Sequence, residues 1–217
     1  MPPFSLIVFD LDGTLVDSKR DLANATNSLL VECGAAPLPD DSIGRMVGDG
    51  AATLVARAFE ARGIPRPADA LERFLAIYSA HLLDHTRPYP DVPDVLAALA
   101  SRADLAVLTN KPLESTRRIL EGLTLSRYFA PDAVVGGDGP FPRKPDPAGL
   151  RHLMARSSVD AGATLLVGDS AIDLKTARAA STAVYLVRYG FGFDALQTGA
   201  LRSNERVIDS FHEVSIL

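Results

Sequence analysis

Short runs of consecutive apolar residues punctuate the chain at 6–9 (LIVF), 105–108 (LAVL), 133–135 (AVV), 164–167 (TLLV) and 183–187 (AVYLV). The runs are continuous rather than alternating, which predicts strands covered on both faces, as in the middle of a parallel sheet. Residues 206–208 (RVI) add a short edge strand. Between most runs the apolar positions repeat with helical spacing, most clearly over 92–100, 113–123, 146–154 and 171–180. Strands that alternate with helices imply right-handed crossovers and an α/β fold, a doubly wound parallel Rossmann-like sheet. Ligands on such sheets bind outside the carboxyl ends of the strands. The chemistry is therefore expected just after each run.

One connection breaks this rhythm. A strand-helix-strand unit needs about 30 residues, yet far more separate the first run from the second. The excess, 16–87, carries helical faces of its own: Leu22, Ala25, Leu29 and Cys33; then Leu54, Val55, Ala58 and Phe59; then Leu71, Phe74, Leu75, Tyr78 and Leu82. The pattern predicts an inserted helical subdomain over 16–87 on a core made of 1–15 and 88–217. The insert leaves the sheet at Asp10–Asp12 and returns at Arg87-Pro88-Tyr89-Pro90, so it is expected to hang over the carboxyl edge and close a site there.

Bulk composition narrows the class without changing that picture. The 217 residues are 47% hydrophobic and 23% charged, as in an ordinary soluble globular protein. A formal charge of −5 argues against a nucleic-acid-binding surface. Cys33 is the single cysteine, so no intrachain disulfide can form and a reducing compartment is expected. The first apolar run lacks a basic flank and is cut short by Asp10 and Asp12, unlike a signal peptide. No apolar stretch approaches the roughly 20 residues of a membrane span. A cytoplasmic protein with no membrane partner is the expectation; oligomeric state is not readable.

Polar signals follow four of the runs. Asp10, Asp12, Gly13 and Thr14 follow the first, and Thr109, Asn110 and Lys111 the second. Lys144-Pro145-Asp146-Pro147 follows the third, and Gly168-Asp169-Ser170-Ala171-Ile172-Asp173 the fourth. Each has a purely structural reading. Asp12-Gly13 suits a turn, Thr109 or Asn110 a helix N-cap, Asp146-Pro147 an N-cap with proline at the first helical position, and Ser170 with Asp173 a capping box. Taken together they bring Asp10, Asp12, Asp169 and Asp173 to one sheet edge with one obvious lysine, Lys144. Two carboxylates about 5 Å apart repel by roughly 3 kcal/mol at an effective dielectric of about 20. A hard divalent cation with oxygen ligands answers such an excess, and Mg²⁺ favours a few carboxylates plus waters and phosphate. Nearby hydroxyl, amide, lysine and helix N-terminal donors suit a phosphate.

The set D-x-D-G-T at Asp10 to Thr14, Thr109-Asn110, Lys144 and G-D-x-x-x-D at Gly168 to Asp173 resembles the four motifs of the haloacid dehalogenase-like hydrolase superfamily. The insert resembles that superfamily's alpha-helical cap. Thr109-Asn110-Lys111-Pro112, Tyr89-Pro90 and Gly48-Asp49-Gly50 are most similar to phosphoglycolate phosphatases. Asp91 and Ser181 depart from that pattern, each standing where glycine is usual. The resemblance implies Asp10 as nucleophile giving an aspartyl-phosphate, and Asp12 as general acid and then general base. It implies Mg²⁺ on Asp10, Asp169 and the backbone carbonyl of Asp12. Thr109 and Asn110, with backbone N–H groups around Leu11 and Lys111, would hold the transferring oxygens, and Lys144 would neutralise their charge. Asp173 would orient Lys144 or a metal-bound water, with the capping reading equally open.

The implied substrate is a small phosphomonoester, 2-phosphoglycolate first among them. Its carboxylate would need a cation or N–H groups from the insert. Arg45 and Arg57, with a close backbone approach at Gly48 and Gly50, are the candidates; surface solvation and an ordinary helix-helix turn are the plain alternatives. The presence of Asp12 favours phosphoryl chemistry over dehalogenation. The insert's single lysine, Lys19, lies beside the core junction, which disfavours a phosphonatase. A sugar phosphomutase of the same superfamily and, from a different class, a phospho-receiver-like signalling domain remain alternatives. His81, His85, His152 and His212 show no metal-ligand spacing.

Overall fold

The computed structural model describes residues 4–196 and 201–216. Along the chain come β1 (Leu6–Phe9), β2 (Val16–Asp17), α1 (Lys19–Glu32), α2 (Asp40–Gly44), α3 (Ala51–Arg62), α4 (Ala70–Ala80), β3 (Arg87–Pro88) and α5 (Val92–Leu99). They continue with β4 (Asp104–Leu108), α6 (Leu113–Gly122), β5 (Val134–Val135), α7 (Ala148–Ser157), β6 (Thr164–Gly168), α8 (Ala171–Ala180), β7 (Ala183–Val187) and β8 (Glu205–Ile208).

The apolar runs form one six-stranded sheet in the order β5-β4-β1-β6-β7-β8, with every pair parallel. Residue alternation along β1 explains why its run is continuous. Ile7 and Phe9 enter the core on one face of the sheet, and Leu6 and Val8 the core on the other. Strand order reverses between β1 and β6, so the ends of these two strands define the crevice where such sheets bind ligands.

Two boundaries differ from the pattern. Ala133 belongs to a 3₁₀ turn, leaving β5 as two residues at the sheet edge. The helix predicted from Asp146 starts at Ala148, with Pro147 in the cap position. Asp146 instead accepts a hydrogen bond from the Ala148 N–H at 2.8 Å, a local turn of the kind aspartate favours.

The four helices α1–α4 make up the long connection. Their predicted faces pack inward: Leu22, Ala25, Leu29, Leu54, Val55, Ala58, Phe59, Phe74, Tyr78 and Leu82 are buried, and Cys33, Leu71 and Leu75 are half-buried. A two-stranded antiparallel ribbon, β2 with β3, joins the outgoing and returning chain. Buried Asp21 of α1 clasps the return, accepting from the His85 N–H and from the N–H and hydroxyl of Thr86. Among the described residues no helix is long and apolar enough to cross a membrane. Asp91 and Ser181 both adopt left-handed backbone, with φ of 65° and 61°. They occupy conformations that favour glycine.

Candidate active site

The aspartates of the first motif do not share a strand face, because the chain turns immediately after β1. The Asp10 N–H still donates to Val167 O, while Leu15 and Val16 N–H turn back onto Leu11 O. The turn passes through Gly13 at φ +85°, where a Cβ would collide with Asp169 Oδ2. The two carboxylates therefore find different partners. Asp10 Oδ1 lies 2.9 Å from Lys144 Nζ. Asp12 accepts from Lys111 Nζ at 2.9 Å on both oxygens and from Ser18 Oγ at 2.5 Å. Leu11, between them, buries its side chain in the core, leaving only its backbone for the cleft.

Both readings of Asp173 are realised at once. Its Oδ1 accepts from Lys144 Nζ at 2.6 Å, and its Oδ2 accepts from the Ser170 hydroxyl at 2.6 Å and N–H at 3.1 Å, closing the capping box of α8. Asp173 thus ties Lys144 to a helix N-terminus and aims the ammonium at Asp10. Asp169, 3% exposed, accepts at Oδ2 from the Gly192 N–H at 2.8 Å. That donor belongs to a fifth strand end, Tyr189-Gly190-Phe191-Gly192 after β7, which the motif reading missed. Its signal was the pair of glycines: a Cβ at Gly190 would collide with Asp169 and with Gly13 O.

Oxygens of Asp10, Asp169 and Asp173 lie within 4.8 Å of one another, all buried. Against them stands the Lys144 ammonium, so two negative charges are left over. Burial, with further pressure from Asp173 and Asp12, pushes the Asp10 carboxyl up from 3.8 to about 6 even though Lys144 opposes it. Burial, then Asp173 and Asp10, holds Asp169 well above the carboxylate range. For Lys144, burial acts against the charge, but Asp10 and Asp173 outweigh it and hold the ammonium firmly protonated. The donor set fits a hard divalent cation. Two negative charges await compensation, and Asp169 and Asp10 each have oxygen capacity beyond their one hydrogen-bonded or paired contact among the described residues. Asp173, with both oxygens engaged, fits a ligand poorly.

The second motif departs from expectation at two residues. Thr109 is buried, and its hydroxyl oxygen accepts from the Lys111 N–H at 3.2 Å. Asn110 donates its two amide protons to Gly48 O and to Lys144 O, each at 2.9 Å. Its side chain thus bridges Gly48 and Lys144 and has no donor left for a phosphate oxygen. Lys111, expected only as a backbone donor, brings a buried ammonium into the cleft. It binds Asp12 and also donates to Tyr78 Oη at 2.7 Å, so the cleft holds two lysines. Its charge also survives burial, because Asp12 and Tyr78 outweigh the loss of solvent.

The pocket at this strand end, about 40 Å³, has Asp10, Asp12 and Thr109 on one wall and Gly48, Gly50, Leu54 and Phe74 on another. Neither candidate arginine lines it. Arg45 is exposed beside Ser42. Arg57 braces the 46–49 loop, donating to Met46 O at 3.0 Å and pairing with Asp49 at 2.6 Å. Among the pocket's lining residues the cation is Lys111, from the core.

This geometry agrees with comparisons to known proteins. A family model described as haloacid dehalogenase-like hydrolase matches residues 7–187. A phosphoglycolate phosphatase of Rhodospirillum rubrum is 45% identical over 205 residues, covering 90% of this chain and 84% of its own. One of Caulobacter vibrioides is 37% identical over 96% of this chain and 88% of its own. A crystal structure described as a predicted phosphoglycolate phosphatase from Haemophilus somnus superposes with a TM-score of 0.89 at 30% identity, covering 99% of this chain and 97% of that one. The chain belongs to the haloacid dehalogenase-like hydrolase family. Within it, the long, high-coverage matches define a phosphatase. The phospho-receiver alternative falls with that assignment.

Proposed function

We propose that this phosphatase hydrolyses 2-phosphoglycolate, with Mg²⁺, through an aspartyl-phosphate on Asp10. The observation that carries the reading is the pairing of Asp10 and Asp12 with separate lysines at one strand end, two carboxylates held apart for two tasks. Asp10 attacks phosphorus in line, and Lys144 steadies the charge on the transferring oxygens. Asp12 gives a proton to the leaving glycolate oxygen and takes one from the water that then attacks the acyl phosphate. Thr109 and the backbone N–H of Leu11 surround the phosphoryl oxygens, the Lys111 N–H holds the Thr109 hydroxyl in place, and Asn110 acts through its side-chain bridge between Gly48 and Lys144. The carboxylates of Asp10 and Asp169, with the Asp12 carbonyl, would hold Mg²⁺, which lets an anionic nucleophile approach an anionic phosphate. Residues 16–87 form the cap, which opens to admit substrate because the pocket holds only a few waters' volume. The enzyme works in the cytoplasm on a small phosphorylated metabolite.

The test is an Mg²⁺-dependent screen of 2-phosphoglycolate, sugar phosphates and nucleotides. Highest kcat/KM is expected for 2-phosphoglycolate, and a clear preference for a sugar phosphate refutes the assignment.

A further inference from the structure

The two arginines that the insert offers for the substrate's far end lie outside the pocket, while the ammonium of Lys111, expected only as a backbone donor, lies inside it. Lys111 Nζ is 2.9 Å from each oxygen of Asp12 and 2.7 Å from Tyr78 Oη. Those contacts engage its three N–H groups.

Asp12 acts on the ester oxygen that leaves phosphorus, so it must come within about 3 Å of that oxygen. Lys111 then lies at most about 6 Å from the same oxygen. In a phosphomonoester whose ester carbon bears a carboxylate, the carboxylate oxygens stand about 3 Å beyond the ester oxygen, three bonds away. The remainder is about 3 Å, the length of an ammonium–carboxylate contact. A substrate oxygen that takes the place of one Asp12 oxygen leaves all three Lys111 donors filled, by Tyr78, Asp12 and substrate. The opposite wall is the start of α3, where Gly50 caps without a side-chain acceptor and the first turn holds no acidic residue. A longer substrate would carry its carboxylate past Lys111 and against the apolar wall of Leu54 and Phe74.

We infer that Lys111 is the specificity-determining residue of this site, its ammonium selecting phosphomonoesters that carry a carboxylate on the ester carbon. The inference rests on the phosphatase reading above and gives it a cause for preferring 2-phosphoglycolate.

The test compares 2-phosphoglycolate with 2-hydroxyethyl phosphate, a neutral analogue of nearly the same size, in the Mg²⁺-loaded wild type, Lys111→Met and Lys111→Arg. The wild type should favour 2-phosphoglycolate in kcat/KM. Lys111→Met should cut that preference roughly 10- to 100-fold, mainly through KM, as expected for loss of one charged hydrogen bond. Lys111→Arg should keep most of it. A preference that survives in Lys111→Met, with both substrates slowed alike, overturns the inference and means the ammonium serves Asp12 alone. A wild type with no preference overturns the 2-phosphoglycolate assignment as well, so the two failures are distinguishable. If Lys111→Met is inactive, calorimetry of the folded variant decides. Weaker binding of glycolate with unchanged binding of inorganic phosphate supports the inference; equal effects on both ligands refute it.

Discussion

Replacing Asp10 with Asn should stabilise the metal-free protein while it removes activity. The Asp10 carboxyl rises from 3.8 to about 6 in the fold, chiefly through burial. Because the folded value lies above the unfolded one, its contribution favours the fold fully below about pH 4 and is lost as pH rises through 6. That gap corresponds to about 3 kcal/mol at neutral pH. Asparagine carries no charge to desolvate, and Lys144 keeps Asp173 at 2.6 Å, so no ammonium is orphaned. Urea unfolding in EDTA at pH 4 and pH 7.5 measures the effect. The stability of Asp10→Asn relative to wild type should improve by about 2–3 kcal/mol between the two pH values. Added Mg²⁺ should then stabilise the wild type more than the variant. A wild-type-minus-variant difference that stays flat with pH would refute the charge reasoning at this site.

Other perturbations probe the frame around it. Ser181→Gly and Asp91→Gly relieve left-handed backbone at φ of 61° and 65° and should each add about 0.5–1 kcal/mol in urea unfolding; a loss of stability at both contradicts the conformational argument. Gly13→Ala drives a Cβ into Asp169 at a positive φ, so it should cost at least about 2 kcal/mol and abolish the Mg²⁺-dependent thermal shift. A normal shift would show that the Gly13–Asp169 approach is dispensable. Tyr78→Phe keeps the ring stacked on Phe74 at 5.8 Å but removes the hydroxyl that accepts from buried Lys111. It should cost about 1–2 kcal/mol, and no loss by urea unfolding would argue that water fills the gap.

The sheet was legible because a strand stretch buried on both faces must be apolar, as β1, 105–108 of β4, 165–167 of β6 and β7 are. The site was legible wherever a carboxylate stood directly after such a run, as Asp10 and Asp169 do. Residues whose role arises only from convergence were not. Lys111 reads as a backbone donor of its motif, and only the fold brings its ammonium to Asp12 and to the hydroxyl of Tyr78, counted as helix core. Gly192 touches Asp169 from a strand end whose adjacent charge, Arg188, pairs with Asp209 instead. Arg57 has the right charge and sits in the right subdomain, but Asp49 and Met46 take it first. Asn110 likewise reads as a phosphate donor, and only the nearness of Gly48 O and Lys144 O spends its protons elsewhere. Ser181 and Asp91 look like neutral departures from a glycine pattern, yet their backbones keep the conformation that glycine would have favoured.

Rapid quench of Mg²⁺-loaded enzyme with ³²P-labelled 2-phosphoglycolate addresses the role of Asp10 most directly. The expected result is a transient, hydroxylamine-labile label on the peptide containing Asp10, absent in Asp10→Asn together with phosphate release. Label on another residue, or turnover that survives in Asp10→Asn, would contradict the account.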